Sequence, residues 1–133
     1  MRLSEYSDDE LTALLPQTMS PAEFRCLREY LGLSTQWVAV QLGVGPRAVL
    51  RWESPGGTVP QRAASLLTLM RQRAHEAVDA YQVVTGGQHL LVPAEITGWA
   101  DEMPPAWHRH IAVRAAEKLG ANVLSIDYAS EVK

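Results

Sequence analysis

The order of apolar and polar positions divides the chain into short helices punctuated by glycine and proline. Ser7 precedes an acidic stretch, residues 8–15, that reads as a first helix stopped by Pro16. Ser20-Pro21-Ala22-Glu23 is a capping box with proline at the first helical position. Phe24, Leu27 and Leu31 follow on one face, and Gly32 closes that helix. Ser34 caps a helix over Thr35–Leu42 that ends at Gly43. Another over Pro46–Glu53 precedes the turn Ser54-Pro55-Gly56-Gly57. Pro60 opens a longer pattern. Ala63, Leu66, Leu67, Met70, Ala74, Ala77, Val78 and Tyr81 recur at the 3.6-residue period until Gly86-Gly87.

After Gly87 the character changes. His89–Val92 reads as a short strand, and residues 99–105 read as loop or a helical turn. A helix after Pro105 places Trp107, Ile111, Ala115 and Leu119 four apart on one face, with Gly120 as its stop. Residues 122–128 alternate. Leu124, Ile126 and Tyr128 lie on one side and Val123, Ser125 and Asp127 on the other, the pattern of a half-buried strand. The expected fold is mainly α. A five-helix helix-turn-helix bundle over residues 1–86 carries a small α+β dimerisation segment over residues 87–133.

Composition and charge sharpen this picture. The chain has 133 residues, 47% hydrophobic and 20% charged, enough to build a packed core and unlike a disordered segment. Its net charge of −3 argues against nucleic acid only if taken as a whole. Residues 20–73 hold seven arginines against three glutamates. The segments on either side are acidic. A single cysteine, Cys26, rules out an intrachain disulfide and zinc sites that need several thiols. The polar, acidic N-terminus is unlike a signal peptide, and no apolar run approaches the ~20 residues of a membrane span. A soluble, cytoplasmic protein with no membrane partner is expected.

The informative stretch is Leu33 to Glu53, LSTQWVAVQLGVGPRAVLRWE. Two short helices joined by Gly43-Val44-Gly45 fit a helix pair crossing at roughly 90–120°, the helix-turn-helix unit. Val38, Ala39, Leu42, Val44, Val49 and Trp52 form the expected seam. Pro46, Arg47, Ala48, Leu50 and Arg51 are left outward, short and basic side chains that suit a DNA major groove.

With these residues in view, positions 19–69, including MSPAEFRCLREYLGLS, QWVAVQLGV and RAVLRWE, resemble the Xre/Cro-type helix-turn-helix regulators. Within them the chain is most similar to the branch of anti-CRISPR-associated autorepressors and antitoxin-like regulators. The resemblance implies a helical bundle, a recognition helix at 46–53, dimeric binding to an inverted repeat, and repression. Gly45 stands where the family usually has a serine, and Thr35, with Gln36 beside it, where a glutamine is frequent. Leu50 occupies a place that is often polar.

The expected DNA contacts are Thr35, Gln36, Pro46, Arg47, Ala48, Leu50, Arg51 and Arg62, the last to a phosphate. Of Arg25 and Arg28 on the preceding helix, one is expected to hold Glu53, with Arg28 the first choice. Trp37 shields the bundle, Trp52 belongs to the core, Arg71 and Arg73 are solvated, and Cys26 is a semi-buried inert thiol. The dimer is expected to use Trp107, Ile111, Leu124, Ile126 and Tyr128, because so short a tail has more apolar surface than it can bury alone. Intrachain pairing of the terminal strand with His89–Val92 is the alternative.

No Ser-His-Asp pattern, phosphate-binding loop or carboxylate pair stands out, so no enzyme activity is expected. His108 and His110 lie about 200° apart on a helix and cannot share an ion. No metal and no cofactor is expected. The partners are double-stranded DNA and a second copy of the chain, with RNA or a toxin protein as further partners. The function read from these features is a sequence-specific, autoregulatory transcriptional repressor acting as a homodimer. The alternative is an antitoxin-type module that binds a protein through its acidic C-terminal half as well as DNA.

Overall fold

The computed structural model describes residues 18–80, 89–93, 103–120 and 125–129. The expected helix at 8–15, the end of the long helix at 81–87 and Leu124 lie outside the described residues. Within them the protein is mainly helical with a small two-stranded sheet. The elements are α1 (Pro21–Tyr30), α2 (Thr35–Leu42), α3 (Pro46–Glu53), α4 (Gln61–Ala80), β1 (His89–Val92), α5 (Pro105–Leu119) and β2 (Ser125–Tyr128).

Local chemistry sets the helix ends. Glu23 N–H donates to Ser20 Oγ (3.1 Å) and Ser20 N–H donates to the Glu23 carboxylate (3.0 Å), closing the capping box. The Ser20 backbone N–H first, and then the Ser20 hydroxyl, hold the Glu23 carboxyl below its ordinary pKa. Ser34 accepts from Trp37 N–H (3.0 Å) at the start of α2, and Gly43 ends it in the left-handed region with φ 69°. α3 begins at Gly45-Pro46 with no side-chain cap bond.

One buried cluster joins all five described helices and β1. Phe24 and Leu31 come from α1 and its end, Val38 and Leu42 from α2, and Val49 from α3. Leu66, Leu67 and Met70 of α4 meet Leu90 of β1 and Trp107, Ile111 and Ala115 of α5. The core therefore continues past residue 87 instead of dividing there. Gly32 explains how α5 approaches so closely. With φ 73° it takes a backbone conformation that L side chains rarely adopt, and a Cβ there would lie 2.4 Å from the Ala106 carbonyl group. The first turn of α5 rests on the C-terminal end of α1.

β1 and β2 pair in parallel, with His89 opposite Ser125 and Val92 opposite Tyr128. Parallel neighbours need a crossover, and α5 supplies it. This is the intrachain pairing that the sequence left as the alternative. The register sets Ile126 beside buried Leu90 and Tyr128 beside buried Val92, so the side expected to be apolar shares the face of the core residues. On this strand Ile126 (39%) and Tyr128 (43%) are still partly open to solvent, and Ser125 and Asp127 are half-buried on the face of His89.

Three further expectations are corrected. Trp107 and Ile111 are 5% and 2% exposed, buried against the chain's own α1 and α4 helices and not free for an interface. Val44, placed in the helical seam by its spacing, is 37% exposed because the left-handed turn at Gly43 carries it outward. Cys26 is exposed, since it lies two residues, about 200°, round α1 from buried Phe24.

Candidate nucleic-acid interface

α3 is held from behind. Glu53, at its last turn, receives two bonds from the Arg28 guanidinium, Nε–Oε2 at 2.5 Å and Nη2–Oε1 at 2.9 Å. The remaining Arg28 arm, Nη1, donates to the Leu33 carbonyl at 2.9 Å. The two side chains are only 11% and 5% exposed, so this bidentate pair ties α1, the α1–α2 turn and α3 together. It is the pairing expected from the sequence. Val49 is fully buried, and Trp52 is half-buried with its ring edge-on to Phe24 at 6.3 Å. After α3 the chain turns back tightly, and a Cβ on Gly57 would lie 2.2 Å from the Arg51 carbonyl oxygen.

The outer face of α3 carries the expected residues. Pro46, Arg47, Leu50 (53%) and Arg51 are exposed and Ala48 is half-buried. On α2, Gln36 is exposed and Thr35 half-buried. Arg62, in the first turn of α4, is exposed.

The ion pairs sort the seven arginines of the basic segment. Arg25 pairs with Glu29 (3.5 Å), Arg28 with Glu53 and Arg73 with Glu76 (3.8 Å). Among the described residues Arg47, Arg51, Arg62 and Arg71 have no ion pair. Three of these four lie on α3 or at the start of α4, so the segment's excess positive charge is concentrated on one helix and its successor.

Two side-chain clusters escaped the sequence reading. The first joins β1 to β2: His89 Nδ1 lies 2.5 Å from Ser125 Oγ and 3.2 Å from Asp127 Oδ2, and Ser125 Oγ donates to Asp127 at 2.6 Å. Both partners share one ring nitrogen, and the serine proton points to the carboxylate. The geometry is that of a clip between strands and not of a serine–histidine relay. The Ser125 hydroxyl, and less strongly His89, hold the Asp127 carboxyl below its ordinary pKa. No sequence spacing signals this trio, because it arises from the parallel register.

The second cluster lies where α1 meets α5. The Tyr30 and Trp107 rings both pack edge-on to His110 at 5.5 Å. His110 Nδ1 donates to the Trp107 carbonyl (2.7 Å), and its Nε2 accepts from Arg114 Nη1 (3.3 Å). Burial is the main cause that pushes the His110 pKa down to about 4, and the nearby Arg114 charge adds to it. His110 is neutral at pH 7, with its proton on Nδ1.

No protein-family model matches the chain, and no curated protein matches it. Among the described residues no group of three or more His, Cys, Asp or Glu side chains is placed to hold a metal ion. No described helix is long and apolar enough to cross a membrane.

Proposed function

We propose that the protein is a sequence-specific DNA-binding transcriptional repressor of the Xre/Cro-type helix-turn-helix class, acting as a homodimer on an inverted repeat. The observation that carries this reading is α3. It is a short helix whose inner face is locked by Arg28–Glu53 and Val49, while its outer face presents Arg47 and Arg51 with no ion pair among the described residues. Guanidinium groups free of carboxylates can bond guanine O6 and N7 in the major groove, and the exposed Leu50 offers apolar contact to a thymine methyl. Arg62, beyond α3, neutralises a phosphate. Repression follows from occupancy of a promoter and requires no chemistry.

One unit covers a half-site, so affinity requires a second copy about 34 Å along the duplex. With Trp107 and Ile111 in the core, the dimer face moves to the open edge of the sheet at β2 and the exposed flank of α5. There Val113 (49%), Ile126 and Tyr128 are exposed together beside Val92. Arg109 and Asp127 border the same patch, so a two-fold copy can set opposite charges against each other. The antitoxin-type alternative requires the C-terminal half to await another protein. Its packing into the chain's own core supports the repressor instead.

Selection of bound duplexes from a random library tests this reading. A palindromic site is expected, with Arg47→Ala costing ~1–3 kcal/mol and relaxing one position of each half-site. Arg62→Ala should weaken all sequences alike and reduce the salt slope by ~1. Absence of any enriched sequence, or selection unchanged by Arg47→Ala, overturns it.

A further inference from the structure

A groove of about 360 Å³ lies between α4 and α5, lined by Thr68, Arg71, Gln72, His75 and Arg114. The first four recur at i, i+3, i+4 and i+7, one stripe of α4, and Arg114 faces them from α5. Among the described residues no acid lines this groove, although Asp79 lies 3.7 Å from His75 at its end. The acids nearby are already engaged, Glu76 by Gln72 (3.2 Å) and Arg73, and Asp79 by Lys118. Neither Arg71 nor Arg114 has an ion pair among the described residues. Arg114 is nevertheless fixed in place. Its guanidinium stacks over the Tyr30 ring, 5.3 Å from the centroid, and Nη1 donates to neutral His110. A guanidinium held by a ring and a neutral imidazole keeps its full charge and its other donors.

We infer that this groove binds a small phosphate-bearing molecule, with Arg71 and Arg114 clasping the phosphate from the two helices. Two unopposed guanidinium groups suit a dianion, and planar forks match a phosphate's oxygens. The groove is larger than the phosphate needs and lies at the lower end of small-ligand sites, so the ester's organic part extends along Thr68, Gln72 and His75. The inference does not depend on the reading of α3, since none of these residues belongs to α2 or α3.

Titration of the full chain with inorganic phosphate and with glycerol phosphate, followed by amide and guanidinium NMR shifts, tests it. Sodium chloride of equal ionic strength is the reference. Saturable shifts at Arg71, His75 and Arg114, and a melting temperature raised by phosphate beyond the chloride reference, are expected. Arg71→Gln, at an exposed position, should weaken phosphate binding roughly tenfold with the fold intact. Arg114→Lys tests the second arm of the clasp. Equal shifts with chloride overturn the proposal, as does binding unchanged in Arg71→Gln. If phosphate does not bind but Arg71→Gln lowers DNA affinity and the salt slope, the groove serves the DNA backbone and the small-ligand site is refuted.

Discussion

Glu53 carries a negative charge at the end of a helix read as facing DNA, where both the helix dipole and the phosphates oppose it. Its burial against Arg28 resolves the conflict. Removing one partner leaves a buried charge unopposed, so Glu53→Gln should destabilise the fold by on the order of 3 kcal/mol, read in thermal or urea melts. Arg28→Lys should recover little, because an ammonium cannot bond both carboxylate oxygens and Leu33 at once. Unchanged stability with tighter DNA binding would mean that Glu53 is free in solution. His110 makes a pH prediction. Its folded pKa, about 4, lies below the ordinary 6.5, so the unfolded chain binds the extra proton first. The stability from neutral His110 is complete above pH 6.5 and is lost as pH falls toward 4. Melting temperature should begin to decline near pH 6.5, above the ordinary values of 4.5 and 3.8 near which Glu23, Asp79 and Asp127 start to lose their stabilisation, and His110→Phe should flatten the upper part of the decline.

At the scale of elements, the capping signals were legible because each acts within four residues. Ser20, Ser34, Gly43 and Pro46 mark helix boundaries that depend on no distant partner. Gly32 reads the same way in sequence, as a helix stop, but it has a second role that only packing reveals. Gly43 and Gly32 share a left-handed φ, yet a Cβ on Gly43 meets open space and one on Gly32 meets the backbone of α5. Gly43→Ala should therefore lose about 1–2 kcal/mol, the cost of the backbone conformation alone. Gly32→Ala should lose clearly more and shift the amide resonances of Ala106 and Trp107. Equal losses would show that α5 does not rest on the end of α1. The terminal strand is the opposite case. Its alternation was visible, but what each side meets was not: the parallel register sets Ser125 and Asp127 beside His89, and Ile126 and Tyr128 beside buried Leu90 and Val92.

For the whole molecule, the shared core predicts that the N-terminal bundle is not independent. A chain ending at residue 86 loses Leu90, Trp107, Ile111 and Ala115 from a cluster that includes Phe24 and Leu67. Such a fragment should melt at much lower temperature and with less cooperativity than the full chain, as followed by circular dichroism. A fragment as stable as the intact protein would separate the two halves. The proposed dimer is probed by Ile126→Asp, which changes an exposed side chain and leaves the core alone. It should give monomers in sedimentation and a large loss of operator affinity with little change in melting. Val113→Asp, on α5, should act alike.

The sequence alone determined what is local or repeats with a period: five described helices, both strands, the caps, and the arginine-rich stretch with its outward residues. It also anticipated Arg28–Glu53, because an acid at that helix end demands a counter-charge and α1 offered one. Tertiary structure decided the rest. Whether Trp107 and Ile111 face a partner or the core depends on how closely α5 can approach α1, and that is set by the missing side chain at Gly32. The His89–Ser125–Asp127 clip and the Arg71–Arg114 groove join residues 36–43 positions apart. Their chemistry exists only once parallel pairing brings the first within bonding reach and the α4–α5 contact sets the second around one groove, and side-chain periodicity carries no information about either.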